Sequence, residues 1–314
     1  MTPLAHNRRS VMLASLAFVL LGSSAMAADG WPRSFTNADG TTTEIAAQPQ
    51  RILSTSVTIT GTLLAIDAPV VASGSAGNGK FFAQWAPVAE ERSVTNAWPA
   101  GSVDIEAVYA AQPDLIVVSV TGADSALDQL AEFQAIAPTI VLNYGSQTWQ
   151  ELAGHLGDAT GLEEAAAVKV AGFDAYVADA AAKITVPEGT ADIISFNGAG
   201  QDNPIARAGG VHAALLQSLG FTVEDPNPEW HSQPNQRADF VWAPYEKLVD
   251  LTSATTFILS RDNEGAKAFL EDPVLANLPS VKAGQVYGLG ANSFRIDFYS
   301  ATEIVDGIVE NFSK

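Results

Sequence analysis

The sequence predicts two α/β lobes joined by one long helix. Short β-branched runs alternate with helical patterns in each half of the chain, and an unbroken alanine-rich stretch lies between the halves. Length and composition agree: 314 residues, 47% of them hydrophobic, supply a sizeable core and favour two domains over one.

In the first half, "RILSTS" (51–56), "PVVASG" (69–74), "DLIVVSV" (114–120) and "TIVLNY" (139–144) read as buried strands, with helical segments between them such as 102–111 and 124–135. The second half repeats the logic with "ADIISFN" (191–197), "TTFILS" (255–260) and "QVYGLG" (285–290), and with helices near 209–219, 264–270 and 299–312. The stretch "LEEAAAVKVAGFDAYVADAAAKI" (162–184) opens on acidic residues after Gly161, has Lys183 in its last turn and stops before Pro187. It reads as one helix of roughly 22 residues, about 33 Å long, and so as a strut. The expected division is a first lobe at 28–160, the helix at 161–185 and a second lobe at 186–314.

The N-terminus predicts export. His6, Arg8 and Arg9 precede the apolar run "VMLASLAFVLLG" and then Ala25-Met26-Ala27, the order of a cleavable secretory signal over 1–27, cut near Ala27/Ala28. "NRRSVML" is loosely a twin-arginine signal, and the sequence leaves the export route open. The apolar run is about twelve residues, short of the roughly twenty that span a bilayer. With no cysteine there is no disulfide framework, no thiol chemistry and no lipid-modified cysteine. An exported chain without an anchor is expected in a periplasm.

Charge limits the partners. The formal net charge is −19, from 16 Lys and Arg against 35 Asp and Glu, and becomes two more negative once Arg8 and Arg9 leave with the signal. Nucleic acid and anionic membrane surfaces are poor partners on that ground. An anionic small ligand is still admissible if the few cations gather at one place.

One motif invites a nucleotide. Gly74, four residues and then Gly79-Lys80 match a P-loop up to its last position, but Phe81 replaces the hydroxyl that would hold Mg²⁺. The stretch reads instead as a flexible loop carrying a cation. His6, His155, His212 and His231 show no metal-binding spacing, and no G-x-S-x-G elbow occurs, which disfavours a zinc or manganese binder and leaves a secreted hydrolase as the alternative from another class.

Four segments carry a family resemblance: "WPRSFTNADGTTTEIAAQPQRILSTS", "IEAVYAAQPDLIVVS", the interlobe helix and "QVYGLGANSFRIDFYSA". They resemble the periplasmic siderophore-binding proteins of iron-uptake ABC transporters, and within that family the ferric-enterobactin-binding members most. The resemblance runs nearly end to end along 28–314. It implies two Rossmann-like lobes joined by a single helix, a ligand held in the cleft between them, no catalysis and no covalently bound cofactor. The implied ligand is an Fe(III)-siderophore complex, anionic and of a class that includes catecholates. The implied partner is an inner-membrane ABC permease, and the receptor is expected to be a monomer. Haem and cobalamin binders share the architecture and are the rival readings within the binding class.

In open α/β sheets the cleft is lined by the C-terminal ends of parallel strands and the loops after them. That rule selects Ser54–Thr58, Gly74–Lys80, Ser119–Gly122 and Tyr144 on one side, and Asn197–Arg207 and Gly290–Arg295 on the other, so that Lys80 and Arg295 face each other. The resemblance assigns Arg295, after Phe294, to the siderophore, because a guanidinium both bonds catecholate oxygens and stacks on rings. The alternative for Arg295 is an ion pair with Asp297. Lys80 falls where the family has an arginine in a longer loop. Arg207 lacks the tryptophan that the enterobactin binders carry one residue earlier, where this chain has Ala206; Trp242, Tyr245, Trp98 and Phe82 are the candidate replacements for stacking. Arg237 either reaches the cleft or anchors its loop through Asp239. Glu106 and Glu246 match the pair that family members present to permease arginines, one on each lobe.

Overall fold

The computed structural model of the chain describes residues 30–234 and 238–314. The expected signal at 1–27 and the candidate Arg237 lie outside the described residues. Among these, no helix is long and apolar enough to cross a membrane.

The chain opens with an antiparallel hairpin, β1 (Arg33–Thr36) and β2 (Thr42–Ile45). The first lobe then lays down β3 (Ile52–Ser54), α1 (Val57–Ala65), β4 (Val70–Ser75), α2 (Ala86–Glu91), β5 (Thr95–Pro99), α3 (Ile105–Ala111), β6 (Leu115–Ser119), α4 (Leu130–Ile136), β7 (Thr139–Leu142) and α5 (Trp149–Thr160). Its five-stranded sheet has the order β5-β4-β3-β6-β7 and is parallel throughout. Strands of a parallel sheet are covered on both faces, which is why "IVV" and "TIVL" are unbroken apolar runs with every residue of β6 and β7 buried.

Helix α6 (Glu163–Lys183) follows, with Glu163 and Glu164 in its first turn and Lys183 in its last, each charge placed favourably on the helix dipole. Gly161, at φ 71°, ends α5 and turns the chain into α6.

The second lobe contains β8 (Thr190–Ile194), β9 (Asp202–Ala206), α7 (Val211–Ser218), β10 (Thr222–Val223), β11 (Phe240–Pro244), β12 (Thr255–Ile258), α8 (Asn263–Leu270), α9 (Pro279–Lys282), β13 (Val286–Gly288) and α10 (Phe298–Phe312). Its sheet order is β11-β9-β8-β12-β13, with β10 beside β8. Strands β8, β10, β12 and β13 run parallel, whereas β9 runs antiparallel to both of its neighbours, β8 and β11. The expected strands all form, most of them trimmed at their ends.

The sequence reading missed α1, whose Val-Thr-Ile-Thr run looks like strand. Ser56 caps it by accepting from the Ile59 N–H, and all nine of its residues are buried, so packing overrides propensity. It also missed β5, β9 and β11, whose Asn, Asp and Pro residues interrupt any strand pattern.

Each lobe has an apolar cluster of its own, around Phe133 in the first and Phe269 in the second, and the two share a third. The shared cluster runs from Ile52 and Leu63 through Trp149 and Phe173 to Ile193 and Phe257. At its centre Trp149 of α5, Phe173 of α6 and Phe298 of α10 pack edge to face, with ring centres 5.1, 5.6 and 6.1 Å apart. Gly61 of α1 faces the start of α10: a Cβ there would lie 2.6 Å from the Asp297 carboxylate.

Candidate functional site

A cavity of about 320 Å³ opens between the lobes. The first lobe supplies Val57 and Thr58 from α1, Ala76 and Gly77 after β4, Phe82 and Gln84 before α2, and Asp124 after β6. The second supplies Asn292, Phe294 and Arg295, between β13 and α10. A smaller chamber of about 40 Å³ lies against it, and Thr58, Phe294 and Arg295 line both.

Arg295 is the only Lys or Arg among the described residues lining either space. Its guanidinium carbon sits 4.8 Å from the Phe294 ring centre and 5.9 Å from that of Tyr144. Phe294 is in turn stacked on Phe240 at 5.7 Å. The alternative pair with Asp297 does not form. One oxygen of Asp297 caps α10 by accepting from the Tyr299 and Ser300 N–H groups, and the other accepts from Gln84 across the lobe boundary at 3.0 Å. Burial pushes the Asp297 carboxyl up to about 6.

The second charge in the cavity wall is Asp124, a buried carboxylate that no local sequence pattern marks. It accepts from the Ser56 hydroxyl at 2.6 Å, the Thr58 N–H at 3.0 Å and the Tyr144 hydroxyl at 2.8 Å. Three donors and the N-terminus of α1 satisfy it. Burial and the Asp124 charge raise the Tyr144 phenol well above its ordinary value, against a smaller opposing effect of Arg295. Tyr144 therefore stays a neutral donor, and its ring stays beside Arg295. Gly122 makes the contact possible: it holds φ 90°, and a Cβ there would lie 1.6 Å from the Tyr144 hydroxyl.

The expected facing of Lys80 and Arg295 is not seen. Ala76 and Gly77 line the cavity, while Lys80 is exposed on a tight turn closed by the Ala76 N–H to Lys80 carbonyl bond at 2.9 Å. The near-P-loop also has a structural explanation. Gly74 lies inside β4, where a Cβ would meet the Thr55 carbonyl at 2.4 Å.

Arg207 lines neither space. It pairs with Asp225 at 3.3 Å, and its N–H bonds the Asp239 carbonyl. Arg207 leaves the strand end that the rule selected because β9 runs back antiparallel to β8. Of the four aromatic candidates only Phe82 lines the cavity. Trp98 and Tyr245 are buried in the cores of their lobes, and Trp242 lies half-buried on β11 opposite Pro204. Glu106, in the first turn of α3, and Glu246, in the 3₁₀ turn at 245–250, are both exposed.

A sequence model of the periplasmic binding protein family matches residues 52–293. The chain belongs to the periplasmic binding protein family. This binding protein is 38% identical to the ferric enterobactin-binding periplasmic protein FepB of Escherichia coli O6:H1, over 95% of this chain and 96% of that one. The crystal structure of holo-ViuP shares its fold with a TM-score of 0.89 and 52% identity, covering 90% of this chain and 96% of that one. Staphylococcus aureus SirA complexed with staphyloferrin B aligns with a TM-score of 0.71 at 18% identity, over 90% and 99% of the two chains, a likeness of fold.

Proposed function

We propose that this periplasmic binding protein captures an anionic ferric siderophore, of the catecholate class that includes ferric enterobactin, and hands it to an inner-membrane ABC permease. The observation that carries the reading is Arg295: the one cation among the described residues of an interlobe cavity, framed by aromatic rings, in a chain similar along nearly its whole length to a ferric enterobactin-binding protein. A guanidinium offers five donors to catecholate oxygens and a flat face to their rings. The siderophore's own oxygens fill the coordination sphere of iron, so the protein's part is to supply charge, hydroxyls and apolar surface around the complex. The place of action is the periplasm, with the leader removed near Ala27/Ala28.

Delivery is assigned to Glu106 and Glu246, one on each lobe, as contacts for permease arginines. Lys80, Arg207, Arg237 and Trp242 belong to the reading as further candidate contacts for a ligand larger than the cavity.

The test is a fluorescence-quenching titration of the purified protein against ferric catecholate, hydroxamate and citrate complexes, haem and cobalamin. The expected result is tightest binding of a ferric catecholate. Binding of haem or cobalamin with every ferric siderophore silent would overturn the reading, and turnover of a siderophore, seen as a mass change after incubation, would make the protein a hydrolase.

A further inference from the structure

The chamber behind Arg295 concentrates polar atoms that the fold does not satisfy. Nine buried side-chain polar atoms among the described residues have no hydrogen-bond partner at normal distance in the chain, and four belong to residues lining this one space of about 40 Å³: Gln147 Oε1, Trp149 Nε1, His212 Nδ1 and Thr58 Oγ1, the last of which also interacts with the Tyr144 hydroxyl. A buried polar group without a partner costs about 1–3 kcal/mol, so four around one cavity require an occupant that bonds them.

Their chemistry defines the occupant. His212 Nε2 lies 3.1 Å from the Ser293 carbonyl and 3.2 Å from that of Phe294; facing two acceptors, it carries the ring proton, which leaves Nδ1 an acceptor. Burial pushes His212 down to about 4, so the ring is neutral at physiological pH. Gln147 donates its Nε2 to the Asn143 carbonyl at 2.7 Å, which fixes Oε1 as the free acceptor. The Trp149 N–H is a donor only, and the Thr58 hydroxyl is both donor and acceptor. Two donors and three acceptors of this kind suit a small neutral molecule that both gives and takes hydrogen bonds. The volume suits roughly two or three waters.

The lining also spans the lobe boundary. Thr58 of α1, Gln147 in the turn before α5 and Trp149 of α5 come from the first lobe, and His212 and Arg295 come from the second, with Asp239 at the wall. No hydrogen bond joins the Arg295 guanidinium to another group among the described residues, so its donors face the cavity and the chamber.

We propose that this chamber is a resident water site that bridges the two lobes, its waters bonding Thr58, Gln147, Trp149 and His212 and extending to the guanidinium of Arg295. The site gives the lobe boundary a wet joint beside the dry core. Water relays re-form after small displacements, whereas packed side chains resist them. Its bearing on ligand capture, through the placement of Arg295, rests on the function proposed above; the site itself does not.

Two ligand-free measurements test the proposal and stand apart from the siderophore reading. A crystal structure with well-resolved solvent is expected to show ordered waters bridging at least two of the four atoms. A chamber without solvent density, or one in which the four atoms bond each other, overturns the site. A crystal structure of Thr58→Val gives a second readout. Solvent density bonded to the hydroxyl in the native protein is expected to be lost from that place in the variant, and density that stays where it was overturns the assignment.

Discussion

Arg295 lies between two rings with no carboxylate partner among the described residues, so its charge is available to whatever enters the cavity. Truncating it to Ala should weaken the cognate anionic ferric complex by about 2 kcal/mol, roughly thirtyfold, because a charge-assisted contact is lost from a partly desolvated cleft. The circular dichroism spectrum should not change. A dissociation constant equal to that of the native protein would remove Arg295 from the site. Gly122 gives a prediction of the opposite kind, in stability: with φ 90° and a Cβ position 1.6 Å from the Tyr144 hydroxyl, Gly122→Ala should lower unfolding free energy by about 2 kcal/mol or more in denaturant titrations. Gly79→Ala is the control, since its φ of 73° is strained but its Cβ meets nothing within 4 Å, and about 1 kcal/mol is expected. These residues also mark what the sequence could disclose. Arg295 was legible because "SFRIDFYS" is a long, specific motif. Asp124 was not, because its three donors come from residues 56, 58 and 144 and no local pattern marks a carboxylate that the fold will bury.

Elements were legible where burial on both faces produced unbroken apolar runs, as in β6 and β12, and illegible where tertiary packing replaced local signals. The direction of β9 is the clearest loss: nothing in "DNPIA" tells parallel from antiparallel, and that one reversal took Arg207 out of the expected lining. The element β8 also carries a titratable device. Asp192 is buried there, with one oxygen accepting from Ser253 at 3.1 Å and the other without a partner. Burial, reinforced by nearby Glu224 and opposed by the Ser253 bond, pushes its carboxyl up from 3.8 to about 7. The folded state therefore binds this proton more tightly than the unfolded chain. Its contribution to stability is full below about pH 4 and is lost as pH rises to about 7. Asp192→Asn, which keeps the shape without the ionisation, should flatten that decline, a difference on the order of 3 kcal/mol across the window. Unfolding free energies measured from pH 4 to 7 check this, and parallel profiles for the two proteins would mean that Asp192 is ionised throughout.

At the scale of the whole molecule, the shared core decides how the lobes move. Opening the cleft widely would separate the rings of Trp149, Phe173 and Phe298 and break the Gln84–Asp297 bond, so ligand binding should change the radius of gyration by less than about 1 Å in small-angle scattering. A receptor that barely changes shape has to be recognised by the permease through surface chemistry, and the proposed contacts are Glu106 and Glu246. Each stands exposed beside a large apolar residue three positions on, Tyr109 at 61% and Val249 at 46% exposure, so both lobes present an acid and an apolar group together. Neither glutamate lines the cavity. Replacing both with Arg sets like charges against the permease arginines, which costs more than deleting two pairs. Ligand affinity in solution should stay within about twofold, since exposed charges beyond a Debye length of about 8 Å are largely screened from the ligand. Iron uptake by cells carrying the double variant should fall sharply. Normal uptake would make the two glutamates ordinary surface residues, and lost ligand affinity would place them at the cleft.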